Sequence, residues 1–177
     1  MRMPIVSAVV TAAALFTGVA GAQVTRESVP GVTNFSRLET TIACAGATTP
    51  AGVAEVKRLG YASIINLRQA SEEGANVDAE EAAARAAGLT YVHLPLNTAS
   101  PDPAVIERFL KTVTEPANQP VFVHCASANR AAALWMIKRM TVDGWGADRA
   151  STEAAALGLT NPALKTFALG YASDHKK

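Results

Sequence analysis

An α/β/α sandwich on a short, mostly parallel sheet is the fold this sequence predicts, on three observations. Short β-rich apolar runs alternate with segments that carry helix start and stop signals. The 177 residues suffice for one ordinary domain with a sizeable core and leave little room for a second. No internal repeat, heptad or low-complexity tract interrupts the alternation.

The elements follow in order. Gln23–Phe35 has no clear period and reads as an extended lead-in, and residues 36–172 read as the domain. Leu38–Ala45 reads as a first strand. Thr49-Pro50 sets a capping hydroxyl before a proline at the first helical position, predicting a helix to Leu59, which Gly60 ends. Ala62–Leu67 is a short apolar run and reads as a buried strand. Val77–Ala87, Ala- and Glu-rich, starts near a capping Asp78 and stops at Gly88. Thr90–Leu94 reads as a strand, and Asp102-Pro103 opens a helix to Val113. Val121–His124 is β-rich and Arg130–Met140 helical, with Trp135, Met136 and Met140 as core positions. Two more helices follow, over Ala147–Ala156 and from Asn161-Pro162 onward.

Met1–Ala22 reads as a secretory signal peptide. Arg2 supplies the charged start, Ile5–Val19 the apolar run, and Ala20-Gly21-Ala22 the small-x-small cleavage site, leaving Gln23 first. An uncleaved membrane anchor is the alternative; the run is short for it. The expected location is outside the cytoplasm, periplasmic or secreted, where thiols meet an oxidising environment. The chain carries 16 Lys+Arg and 15 Asp+Glu, and one Arg lies in the leader, so the mature part is formally neutral. That charge predicts no nucleic-acid binding, and no second apolar stretch predicts stable membrane insertion once the leader is removed. Two cysteines are too few for a disulfide scaffold.

In a parallel sheet, ligands bind beyond the carboxyl ends of the strands. The segment to examine is therefore Pro120-Val-Phe-Val-His124-Cys125-Ala-Ser-Ala-Asn129-Arg130, which leads into Ala131-Ala-Ala-Leu-Trp135. A short loop entering a helix can turn backbone N–H groups toward an anion, and Arg130 can add a bidentate fork. The same positive field favours Cys125 as thiolate. Such a thiolate under a tetrahedral anion is poised to attack phosphorus, or to carry a sulfane sulfur.

His-Cys, a short loop and Arg, between an apolar strand and an Ala-rich helix, resemble the signature of the protein tyrosine phosphatase superfamily. Asn34-Phe-Ser-Arg-Leu-Glu39, Gly46-Ala-Thr-Thr-Pro50, Gly60-Tyr-Ala-Ser-Ile-Ile-Asn-Leu-Arg68 and Tyr91-Val-His-Leu-Pro-Leu96 follow in order. That succession, from Asn34 to Leu159, resembles the bacterial phosphatase-like family related to the domain of beta-lactamase-hydrolase-like proteins. The resemblance implies a dual-specificity-phosphatase-like fold and a phosphomonoester hydrolase whose nucleophile is Cys125, passing through a phosphocysteine. Arg130 would bind phosphoryl oxygens, and the amides of Ala126, Ser127, Ala128, Asn129 and Arg130 would complete the cradle. His124 would hold the loop and tune the thiolate. No metal or cofactor is implied, and the substrate would be phosphorylated or otherwise oxyanionic.

The sequence departs from that pattern in three places. Four residues separate Cys125 from Arg130 instead of five, a spacing that rhodanese-like sulfurtransferases use. Ala128 stands where both families place glycine, and is strained if the position needs a positive φ. Asn97 follows Leu96 where the general acid is expected. The nearest downstream carboxylate is Asp102, either a proton donor or the N-cap of the helix that Pro103 opens. Arg68 faces the cleft as a substrate-binding cation, or pairs with Glu72 or Glu73. Cys44 is a possible redox partner of Cys125, or a small buried apolar residue. His93 and His175 have no metal-ligand spacing. Besides the phosphatase, a persulfide-carrying sulfurtransferase and a non-catalytic anion-binding pseudophosphatase stay open.

Overall fold

The computed structural model describes residues 23–175; the proposed leader, Met1–Ala22, lies outside the described residues. Six strands form one sheet, β1 (Val24–Arg26), β2 (Ser36–Leu38), β3 (Ile42–Ala45), β4 (Ser63–Asn66), β5 (Thr90–His93) and β6 (Val121–His124). Six helices flank it, α1 (Pro50–Arg58), α2 (Val77–Ala86), α3 (Pro103–Thr114), α4 (Asn129–Thr141), α5 (Ala147–Ala156) and α6 (Pro162–Asp174). The strand order is β1-β2-β3-β6-β4-β5. The four strands from β3 to β5 are parallel, while β1 and β2 add antiparallel to the β3 edge. The sheet is therefore mixed, with its parallel part at the centre.

Strand alternation divides the interior into two cores. Ile42, Cys44, Ile65, Val121 and Val123 face α3, α4, α5 and α6. Ala43, Ala45, Ile64 and Phe122 face Val53 and Val56 of α1 and Ala84 of α2. Helix α4 is buried along Arg130–Ile137, apolar nearly all round because sheet and helices enclose it. Trp135 and Met136 are in that core, and Met140 packs against it.

Helix starts follow their caps. Thr49 Oγ1 accepts from Gly52 N at 3.2 Å, Asp102 Oδ1 from Ala104 N at 2.9 Å, and Asn161 Oδ1 from Ala163 N and Leu164 N at 2.9 and 3.1 Å. Each cap precedes a proline at the helix start. Two expectations are corrected. The single strand over Leu38–Ala45 is two strands, β2 and β3, joined where Glu39 turns at φ 46° and Thr41 N donates to Leu38 O. Asp78 does not cap α2; it lies in the first turn, after a left-handed Asn76. The stretch read as a lead-in carries β1. Among the described residues no helix is long and apolar enough to cross a membrane.

Candidate active site

The parallel strands deliver Cys125 to the middle of the sheet's carboxyl edge. Cys125 N donates to Ala45 O at 3.1 Å and Leu67 N to His124 O at 2.9 Å, so neighbouring strands hold both sides of the β6 end. The loop beyond is pinned by Ala47 N, which donates to Ala126 O at 3.1 Å. Gly46 allows that approach: a Cβ there would meet Ala126 O at 3.1 Å and collide with Thr33 Oγ1. Ala128 adopts φ 73°, the left-handed conformation that its glycine-like position requires.

Unlike α1, α3 and α6, helix α4 has no side-chain cap. Among the described residues, the backbone amides of Ala126, Ser127, Asn129 and Arg130 donate to no protein acceptor. They form an unsatisfied array at a helix N-terminus, where the dipole adds positive potential. Asn129 fixes the array from the side. Its Oδ1 accepts from Thr160 N and Asn161 N, both at 2.8 Å, and its Nδ2 donates to Ser127 Oγ at 3.3 Å.

Arg130 is 8% exposed and fully engaged. It donates to Leu67 O at 3.0 Å and Leu96 O at 3.2 Å, and forks onto Glu72 at 2.6 and 2.7 Å. Burial pulls its pKa down, but Glu72 and the neighbouring Cys125 more than offset this and leave it raised. Burial pushes Glu72 up, yet Arg130, the Gln69 amide and Arg68 prevail and hold it at about 2. Gln69, Glu72, Thr98, Ser127, Asn129 and Arg130 line a cavity of about 300 Å³. Cys125 is fully buried and does not line it.

The structure thus brings Cys125, Arg130, Asn129 and the loop residues Ala126, Ser127 and Ala128 together. Other candidates go elsewhere. Arg68 is not a cleft cation: it turns inward, donating to Gly74 O at 2.9 Å and pairing with Glu72 at 3.4 Å, and so braces the turn after β4. Alternation along β6 sends His124 to the opposite face of the sheet, where it stacks on Phe122 and meets Glu80 at 2.7 Å. Asp102 spends a carboxylate oxygen on the α3 cap and does not line the cavity. Asn97 closes a local turn onto Ala99 N.

Cys44 and Cys125 are both free and buried. Cys44 pairs with Val123 in register, two residues short of Cys125. Regular strand spacing then puts their Cα atoms about 8 Å apart, beyond the roughly 7 Å a disulfide spans. Burial, followed by the charges of Cys125 and Glu153, raises the Cys44 thiol well above its usual range.

Glu72 and Glu80 are the ionisable neighbours of Arg130 and His124 that sequence reasoning missed. Glu72 entered only as a partner for Arg68, and nothing local marks its bond to Arg130. Glu80 sits in a helix that the sequence marks only as Ala- and Glu-rich.

Comparisons with known proteins agree with this architecture. A DUF442 protein of Shewanella putrefaciens CN-32 superposes with TM-score 0.69 at 18% identity, over 84% of this chain and 97% of that one. TpbA of P. aeruginosa gives TM-score 0.65 at 20% identity, over 88% and 91% of the two chains. The catalytic domain of the PP-IP phosphatase SIW14 of S. cerevisiae, solved with citrate, gives TM-score 0.64 at 19% identity, over 80% and 87%. At these identities the likeness is one of fold. In sequence, the chain is 42% identical over 89 residues to the beta-lactamase hydrolase-like protein of Xylella fastidiosa strain Temecula1, covering 49% of this chain and 20% of the relative. The protein of that name from Agrobacterium fabrum strain C58 is 32% identical over 103 residues, covering 57% and 24%. The chain therefore spans about a fifth to a quarter of these relatives' length. Residues 34–142, from the turn before β2 to the end of α4, match the family described as beta-lactamase hydrolase-like protein, phosphatase-like domain, and the chain belongs to that family.

Proposed function

We propose that this protein is a cysteine-dependent phosphatase that cleaves phosphate esters through a phosphocysteine. The observation that carries the reading is the convergence on Cys125 of four unpartnered loop amides, an uncapped α4 and Arg130. The amides and Arg130 would hold the three phosphoryl oxygens, with charge-assisted bonds that strengthen as charge develops on them. The Cys125 thiolate would attack phosphorus in line as the bond to the leaving oxygen breaks. Water would then attack phosphorus, releasing inorganic phosphate and restoring the thiolate. Glu72 must yield the Arg130 fork to the incoming phosphate.

The only carboxylate lining the Arg130 cavity is Glu72, which Arg130 keeps ionised. With Asn97 at the expected donor position, the leaving oxygen departs without a protein acid. Substrates with weakly basic leaving groups, aryl phosphates and phosphoanhydrides, suit this site; alkyl phosphates do not. Among the structural neighbours, TpbA is solved with pTyr in a Cys-to-Ser form, and SIW14 is named a PP-IP phosphatase. The buried Cys125 favours a second reading, an anion-binding domain without turnover. Export to the periplasm or beyond rests on Met1–Ala22 alone.

The test is hydrolysis of p-nitrophenyl phosphate by the reduced protein beside Cys125→Ser. Turnover above background that the substitution abolishes is expected. Tungstate raising the melting temperature without turnover would leave the binding reading instead. Thiocyanate formed from thiosulfate and cyanide would mark a persulfide carrier.

A further inference from the structure

Glu80 is completely buried on the face of the sheet opposite α4. An unpaired carboxylate there is costly, and an apolar side chain of the same size would pack against α1 and the sheet without that cost. Its two oxygens reach different strands. One lies 2.7 Å from His124 Nε2, itself fully buried; the contact is close without being a well-aligned hydrogen bond, and His124 Nδ1 has no partner among the described residues. The other accepts from Asn66 Nδ2 at 3.2 Å. That amide also donates to the Tyr91 hydroxyl at 2.9 Å, and Asn66 Oδ1 accepts from Arg68 N at 2.8 Å.

Both branches end in the active site. His124 immediately precedes Cys125. Arg68, whose amide Asn66 fixes, braces the turn that carries Glu72, and Glu72 grips Arg130. From these contacts we infer that Glu80 is a positioning residue of the active site, holding the ends of β6 and β4 together from behind the sheet and so setting Cys125 against Arg130. This inference rests on the phosphatase reading for its catalytic consequence, and on anion binding for its structural one. Tyr91, pushed up by burial and then by Glu80, stays a neutral hydroxyl.

The experiment compares the parent with Glu80→Gln and Glu80→Met in melting temperature, tungstate affinity, and kcat and KM for p-nitrophenyl phosphate. Both variants fold. Tungstate binding weakens and kcat falls by about tenfold each, with KM for the aryl phosphate changed less than about twofold. His124→Asn approaches the pair from the other side, and its loss and that of Glu80→Gln overlap in the double variant. Unchanged tungstate affinity and kcat in a folded Glu80 variant overturn the inference, whatever the melting temperature does. Should a Glu80 variant not fold, an unchanged His124→Asn overturns it equally. Tungstate binding reads without turnover, so a parent that binds tungstate but hydrolyses nothing defeats the phosphatase reading and leaves this one standing.

Discussion

A carboxylate takes both prongs of Arg130, so on the reading proposed above Glu72 occupies the place of two phosphoryl oxygens. Its pKa of about 2, against an ordinary 4.5, ties it to stability. Because the folded value is depressed, the contribution is full above about pH 4.5 and fades as pH falls toward 2, amounting to at most about 3 kcal/mol. Glu72→Gln should therefore lower stability at pH 7 and flatten its loss between pH 4.5 and 2 in urea melts. It should also bind tungstate several-fold more tightly, since the competitor for Arg130 is weakened; unchanged or weaker binding would show that Glu72 orients Arg130 rather than occupying it. Ala128 gives a second residue-scale prediction. Its φ of 73° costs an L-residue, so Ala128→Gly should stabilise the fold by about 1 kcal/mol, read by chemical denaturation. The methyl fits only because Gly158 lies against it: a Cβ there would come within 3.0 Å of Ala128 Cβ.

Helix α4 shows why a site can require an element to be incompletely satisfied. Three other helices close their first turns with Thr49, Asp102 and Asn161, and those boundaries were readable because a capping side chain followed by proline has one local meaning. The α4 start carries no such cap, while its far end is tied to α5. There α5 supplies Glu153, which accepts from Trp135 Nε1 at 2.8 Å and Arg139 Nε at 2.7 Å. Arg139 and Arg149 pack over the Trp145 ring at 4.1 and 3.5 Å. Glu153→Ala leaves Arg139 and the Trp135 N–H short of a buried partner and should cost about 3 kcal/mol in denaturant melts. Tungstate affinity should stay within a factor of two if the fold survives. The β2–β3 turn was missed for the opposite reason: Glu39 takes a left-handed conformation that no Gly or Asn announces, so two strands read as one.

On the scale of the whole molecule, alternating strands and helices were enough to give the layers and the sheet edge that carries Cys125. What no local pattern could show was how far-apart segments combine. The bond between Glu72 and Arg130 joins residues 58 apart, and the direction of His124 follows from strand parity once the two cores are known. Arg68 read equally well as a cleft cation and as a brace, because either role suits a charge after a strand; only the folded turn decides. The leader reading makes a prediction here. Cleavage after Ala22 would leave a single residue ahead of β1, so intact mass of the exported protein should correspond to a start at Gln23.

For a protein that Met1–Ala22 would send outside the cytoplasm, the sealed position of Cys125 has a chemical consequence. A thiolate open to solvent there would drift through sulfenic to sulfinic acid and be lost. Here burial is itself the shield, with no second cysteine in reach to rescue the first. Durability and access are then set by the same burial: whatever opens Cys125 to a substrate would also admit peroxide, and a faster enzyme of this design would be a shorter-lived one.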